Sequence, residues 1–199
     1  MSPAHVLEPT YEAIKLRLKT GKWPAGFRLE AARLADELGV SMTPVRDSLW
    51  RLAGETMVDV TPGEGFRVPR LGQDELRDLL ELNCILLLAA LAVVPATPIH
   101  RAEVDGDAAE RTARLFLDLA GRAGNGALLA SVSAINDRLH LVRLRESAVL
   151  PGSDRELATL EQAIKEGEAD GRVRDLLLRY HHGRGQAADR MTRLLAPGD

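Results

Sequence analysis

A single cysteine, Cys84, stands in the whole sequence, which excludes an internal disulfide framework and any multi-cysteine zinc site. Set in the apolar stretch Leu79 to Val94, it is expected to be a buried core thiol. Aromatic residues are also scarce, at 4% of the chain, whereas Ala, Leu and Arg recur throughout; this balance favours helices over sheets. No apolar run is long enough for a membrane, since the longest, Ile85 to Val94, is about half of the ~20 residues a spanning helix needs. The opening MSPAHVLEPT lacks both the basic start and the apolar stretch of a secretory signal, so a soluble cytoplasmic protein is expected. An excess of positive charge is missing too. The formal net charge of -3 argues against nonspecific coating of nucleic acid, which depends on counterion release by many lysines and arginines. Residues 1–70 carry ten Lys and Arg against nine Asp and Glu, and residues 71–199 carry sixteen against twenty. That weak polarity runs in the direction expected of a DNA-binding head on an acidic body.

What is present is helical periodicity with clear punctuation. Tyr11, Ile14 and Leu18 recur at helical spacing, with Pro9 and Thr10 as a start and Gly21 as a stop. Trp23, Pro24 and Gly26 mark a turn over Lys22 to Leu29. A second apolar stripe then runs through Ala31, Leu34, Ala35 and Leu38 and closes at Gly39. Ser41 is a good N-cap for a third helix, Pro44 falls in its first turn, and Val45, Leu49 and Leu52 form its buried face. Met57 to Thr61 and Phe66 to Val68 alternate around the turn Pro62-Gly63-Glu64-Gly65, which predicts a short hairpin. Three helices, a glycine turn between the last two and a hairpin describe a winged helix-turn-helix. Beyond the linker Pro69 to Gln73, an apolar helix from Asp74 to about Val94 ends at Pro95 and Pro98. Further helices are predicted near Ala108 to Gly121, Gly126 to Glu146, Ser153 to Lys165 and Arg172 to Leu195, separated by Gly124-Asn125-Gly126, Pro151-Gly152 and Asp170-Gly171. The chain is therefore read as mainly α, with a winged helix-turn-helix over residues 1–70 and an all-helical bundle over residues 71–199.

The run from Leu34 to Leu49, LADELGVSMTPVRDSL, followed by Arg51-Leu52, resembles the GntR family of bacterial regulators. With Pro24 and Gly26 upstream, the Val58 to Val68 wing downstream and a helical remainder, the resemblance points to the FadR-like branch with an FCD-type C-terminal domain. It implies a homodimeric, probe-like pair of heads reading an inverted-repeat operator in double-stranded DNA, repression as the sign, a small-molecule effector in the helical domain, no enzymatic activity and no membrane.

In a helix-turn-helix the second helix lies in the major groove with its N-terminal residues at the base edges. Here those residues are Ser41, Met42, Thr43 and Arg46. Arg46 can fork onto guanine O6 and N7, while the hydroxyls of Ser41 and Thr43 suit phosphate oxygens. Arg51 is carried as a further DNA contact, and Gly63 and Gly65 allow a close approach of the wing tip. The bland readings stand beside these: Arg46 paired with Asp47 or Glu30, Ser41 as a cap first, and the wing glycines as turn-formers. Compared with the family pattern, positive charge is missing at Ala32, Met42 and Glu64, which predicts weaker or more salt-sensitive half-site binding, or an altered operator.

FCD-type domains often hold a metal through an aspartate, a histidine four residues later and two further histidines. Here Asn136 stands where the aspartate belongs, and His140 fits the histidine. Asparagine is the poorer ligand for a transition metal, and adjacent His181 and His182 face different sides of one helix, so a divalent metal at His140 is the weaker reading. Arg138, Arg143, Arg145, Arg179 and Arg184 suit a carboxylate effector better. The effector residues expected are Asn136, His140, Arg143, Arg179 and His181. The helix from Asp74 to Val94 is richer in leucine than one exposed face should be and is expected to serve core and dimer contact together; the competing reading is a central helix of a monomer. Two rival functions remain: a metal-dependent hydrolase around His140, His181 and Asp137, and a helical interaction module with a degenerate DNA-binding head.

Overall fold

A computed structural model describes residues 3–93, 106–167 and 170–196, with the backbone alone at 3–5 and 170. The described residues divide into two compact units, one built on residues up to Leu71 and one of Gly72–Leu194.

The first unit contains α1 (Pro3–Lys19), β1 (Arg28–Leu29), α2 (Ala31–Leu38), α3 (Met42–Gly54), β2 (Asp59–Thr61) and β3 (Gly65–Arg67). Tyr11, Ile14 and Leu18 of α1 share one apolar cluster with Leu34 and Ala35 of α2 and with Val45, Leu49 and Leu52 of α3. This is the cluster expected of three amphipathic helices that turn their stripes inward. Gly39 closes α2 in the left-handed conformation (φ 66°), and Ser41 opens α3. The strands pair antiparallel in the order β1-β3-β2, with Leu29 opposite Phe66 and Thr61 opposite Gly65.

Two expectations are corrected in this unit. Helix α1 does not start at Pro9 and Thr10 but runs through them, with Pro9 inside the helix. Thr10 is no cap there: its hydroxyl donates to the Val6 carbonyl one turn back, at 2.6 Å. The segment Lys22 to Leu29, read as a turn, contains β1, and Trp23 is part of the core. A two-residue strand is too short to show alternation and exists by its pairing with β3.

The second unit is built of α4 (Gln73–Val93), α5 (Ala108–Arg122), α6 (Gly126–Arg145), α7 (Ser153–Glu166), α8 (Asp170–Gln186) and α9 (Ala188–Arg193), with a short 3-10 turn at Glu146–Ala148. Asp107 caps α5 through the Glu110 N–H, and Asn125 caps α6 through the N–H groups of Ala127 and Leu128. Helix α4 packs against α5, α6, α8 and α9. Its inner face carries Leu76, Leu80, Asn83, Cys84, Leu87 and Leu91, so Cys84 is the buried thiol expected, with its pKa raised by burial. Phe116, Leu119, Val132, Leu157, Leu160, Leu177 and Tyr180 complete the core.

The helix expected over Arg172 to Leu195 is two helices, and Asp170-Gly171 is the first turn of α8 rather than a separator. The break follows Gly183 and Gly185, both poor helix formers, and the Ala187 N–H is shared between the carbonyls of Gly183 and Arg184 at 3.2 and 3.1 Å. The expected stop at Pro95 and Pro98 lies outside the described residues. Among the described residues no helix is long and apolar enough to cross a membrane.

Candidate functional site

The first turns of α3 present Ser41, Met42, Thr43 and Arg46, all exposed. Ser41 occupies the N-cap position with extended backbone (φ -75°, ψ 164°), yet its hydroxyl makes no capping bond. The expected cap is one of backbone position only. Among the described residues Arg46 makes no ion pair or hydrogen bond, so its pairing with Asp47 or Glu30 is not formed.

The wing continues this surface. The Glu64 N–H donates to the Thr61 carbonyl at 3.0 Å across the tip, and Gly63 and Gly65 stand at φ 81° and 84°. A Cβ at either would meet nothing within 4 Å, so conformation, not crowding, demands glycine there. Trp50, at the far end of α3, packs edge-on against Phe66 of β3 with ring centroids 5.2 Å apart, tying helix and wing together.

Most other basic side chains of this unit are already neutralised. Arg17 and Arg33 both bond Glu37, Lys15 reaches Glu55, and Arg67 lies 3.5 Å from Glu64. Arg51, expected as a further DNA contact, donates to Glu8 at 2.8 Å and to Glu55 at 3.4 Å, and its guanidinium sits 3.6 Å from the Tyr11 ring centroid. These contacts join α3 to α1.

The second unit has a polar interior around one aromatic ring. Phe116 stacks on His181 (centroids 5.6 Å apart) and lies 5.2 Å beneath the Arg143 guanidinium. Asn136 donates to the Ala113 carbonyl at 3.0 Å and accepts from Arg143 Nη1 at 2.8 Å. His140, one turn along α6 on the same face, is buried with it. Arg143 is fully enclosed, but its Nε and Nη2 groups have no hydrogen-bond partner among the described residues, and burial pushes its pKa down.

His181 is held neutral. Burial, with Arg143 and Arg184 nearby, lowers its pKa from 6.5 to about 3, against the opposing bond to Leu177. Its Nδ1–H donates to the Leu177 carbonyl at 2.8 Å, leaving a lone pair at Nε2, 3.0 Å from the Asn83 side chain. The Asn83 atom set against Nε2 is Oδ1, with Nδ2 left unpartnered among the described residues; a neutral ring that donates from Nδ1 can pair with Asn83 only if the amide is exchanged to present its NH2.

The other buried arginine is fully compensated. Arg184 forks onto Glu146 at 2.9 and 2.6 Å, reaches Glu156 at 2.7 Å and lies 3.3 Å from the Tyr180 ring centroid. Burial opposes its charge, but these groups together raise its pKa. Of the expected effector residues, the fold brings Asn136, His140, Arg143 and His181 into the interior, whereas Arg179 lies exposed on the outside of α8 and is dropped. Arg138 pairs with Glu75, and Arg145 donates to the Leu194 carbonyl. Sequence reasoning missed Asn83, Phe116 and Glu146. Asn83 had a signal, a lone polar residue on the buried stripe of a leucine-rich helix.

The residues present do not fit a divalent metal. The one oxygen of Asn136 is engaged by a guanidinium, which would also repel a cation, and among the described residues no group of three or more His, Cys, Asp or Glu is placed to hold an ion.

Residues 8–68 match the gntR family of bacterial regulatory proteins. Over 93 residues the chain is 37% identical to the HTH-type transcriptional regulator McbR of Escherichia coli strain K12, covering 46% of this chain and 42% of that protein. Over 134 residues it is 31% identical to the Nta operon transcriptional regulator of Aminobacter aminovorans, covering 59% of this chain and 64% of the relative. The chain thus spans about half the length of the curated relatives it matches. Among solved structures the fold is shared with E. coli McbR (TM-score 0.68, 22% identity, 92% of this chain and 97% of that one). It is shared also with a protein from Rhodococcus sp. RHA1 described as a GntR transcriptional regulator (TM-score 0.73, 15% identity, 92% and 96%). Both curated relatives bear the names of transcriptional regulators. Residues 8–68 thus match the gntR family model, and nearly the whole chain shares the fold of these solved structures.

Proposed function

We propose that this chain is a cytoplasmic, sequence-specific DNA-binding regulator of transcription that acts as a homodimer on an inverted-repeat operator. Repression is the expected sign, and a small organic carboxylate held in the FCD-like helical unit modulates binding. The observation that carries the DNA reading is Arg46: an exposed guanidinium without a protein partner, one turn into the helix that a gntR head lays in the major groove. Ser41 and Thr43 offer hydroxyls to the phosphates beside it, and Gly63 and Gly65 shape a wing tip free of side chains at two positions.

The test is selection of bound genomic fragments by the full chain, followed by mobility shifts with Arg46→Ala. Loss of about 1–3 kcal/mol of discrimination at one base pair in each half-site is expected. An unchanged sequence preference removes Arg46 from base reading.

Dimerisation through α4 is supported by its outer face, where Leu82, Ile85 and Val93 are 47%, 55% and 64% exposed in the single chain. Ile85→Asp should shift the sedimenting species toward monomer. For the effector, Arg143 is the anchor, since a buried guanidinium with open donors lacks only an anion. Ligand binding would release DNA if the ligand prefers head positions that do not fit the operator. Raised melting temperature in a panel of small carboxylates, absent in Arg143→Leu, is the expected result.

A further inference from the structure

We infer that Met42 is a specificity-determining residue that reads the 5-methyl group of a thymine in each operator half-site. The inference rests on the DNA-binding reading above and adds to it a base identity at one position.

Helical spacing places Met42 on the stripe that Val45, Leu49 and Leu52 bury, and on that pattern it should be covered. It is not. Met42 is 44% exposed, although Val45 three residues on is fully buried, and it takes no part in the apolar cluster that contains the rest of its stripe. Its neighbours Ser41, Thr43 and Arg46 are exposed as well, but each of them can hydrogen-bond to phosphates or base edges. Met42 offers only a weakly accepting thioether on a flexible, polarisable apolar chain. A side chain of this kind gains little from phosphates or from base N–H and C=O groups. In the major groove the one apolar group that a base presents is the thymine methyl, and apolar contact with it is an established mode of direct readout. An exposed methionine at the reading end of α3 therefore matches thymine, while Arg46, one turn further on, supplies the hydrogen-bonding partner for guanine.

Removing the methyl while keeping the base pair isolates this contact. The experiment uses the full chain and an operator obtained by genomic selection, in which each thymine of both half-sites is replaced in turn by deoxyuridine. Affinity is read by fluorescence anisotropy at fixed salt. At one symmetry-related thymine pair, deoxyuridine should weaken the wild-type protein about fourfold per half-site, the effect of losing one buried methyl-sized contact. Met42→Ala should bind the thymine and deoxyuridine operators equally. Thr43→Ser, which removes the neighbouring methyl and retains the hydroxyl, should keep the full penalty. Met42→Arg should exchange the thymine preference for guanine at the same position. The inference is overturned if no deoxyuridine substitution weakens wild-type binding, or if Met42→Ala retains the penalty. Those results leave the DNA-binding reading intact, whereas failure to select any specific DNA overturns that reading and this one together.

Discussion

Arg51 and Arg46 of the head, and Arg184 and Arg143 of the body, form two contrasting pairs: in each, one guanidinium bonds carboxylates and the other bonds none, but the carboxylate-free one stands in opposite environments. In the head, Arg51 bonds Glu8, Glu55 and the Tyr11 ring, and Arg46 stands exposed without a partner among the described residues. In the body, Arg184 is caged by Glu146 and Glu156, and Arg143 lies in the interior and donates to Asn136. Water solvates Arg46 at no cost, so its openness is compatible with a surface that waits for a macromolecule. No water bath serves Arg143: burial outweighs the attraction of nearby Glu146, a carboxylate already forked by Arg184, and a buried guanidinium with two open donors is poised for an anion. Chemistry of the side chain is the same at all four positions. Surroundings assign the roles.

The largest effect expected is at the caged arginine. Arg184→Ala strands Glu146 in the interior, frees the partly exposed Glu156, and should cost about 3–5 kcal/mol of stability in chemical denaturation, with or without ligand. If that loss were under 1 kcal/mol, the cage would not be structural and the contrast with Arg143 would fail. Arg143→Leu removes a charge that has no carboxylate to strand. It should keep its stability or gain up to about 2 kcal/mol, while losing the melting shift produced by carboxylates. A destabilisation matching that of Arg184→Ala would break the comparison.

A pH measurement sharpens the same interior. His181 is neutral in the fold, with a pKa held at about 3 by burial and by the nearby Arg143 and Arg184, against 6.5 for the ordinary group. Below pH 6.5 the unfolded chain takes up a proton that the folded chain refuses, so the stability contributed by neutral His181 is complete above pH 6.5 and is lost as pH falls toward 3. The slope approaches about 1.4 kcal/mol per pH unit. His181→Gln should flatten the pH dependence of stability between pH 6 and 4, and an unaltered slope would show that His181 titrates normally.

At the head the smallest effect is expected at the wing. Glu64 lies 3.5 Å from Arg67, a half-exposed pair worth little to stability. Glu64→Gln frees the arginine and removes an anion near the phosphates, so operator affinity should rise about two- to fivefold at low salt, with the gain shrinking as salt is added. Equal affinity would place Glu64 and Arg67 away from the DNA.

The contrast between the two units also decides what could be read in the sequence. Most of the head was legible because its signals are local: the stripe Ala31 to Leu38, the left-handed Gly39, the N-cap position Ser41 and the turn at Gly63 and Gly65 all lie within a few residues of the structure they specify. What escaped was fixed from far away. The two-residue β1 exists by pairing with β3, and Arg51 is held by α1 residues Glu8 and Tyr11, far away in the chain. Caps and apolar spacing gave the helices of the body, but its polar interior is assembled across α4, α5, α6 and α8. The joining of Glu146 to Arg184, or of Phe116 to both His181 and Arg143, leaves no periodic trace. Arg179 and Arg184 look alike in the sequence, and only burial separates an exposed charge from a caged one.

The central claim is that Arg46 reads DNA while Arg51 holds the head together. One measurement tests it directly: sequence-specific binding and thermal stability of Arg46→Ala and Arg51→Ala, side by side, on an operator selected by the wild-type chain. Arg46→Ala should melt within about 0.5 kcal/mol of wild type and lose discrimination at one base pair per half-site. Arg51→Ala should lose stability and keep the sequence preference. If Arg51→Ala alters which bases are preferred while Arg46→Ala does not, the assignment of roles in the head is wrong.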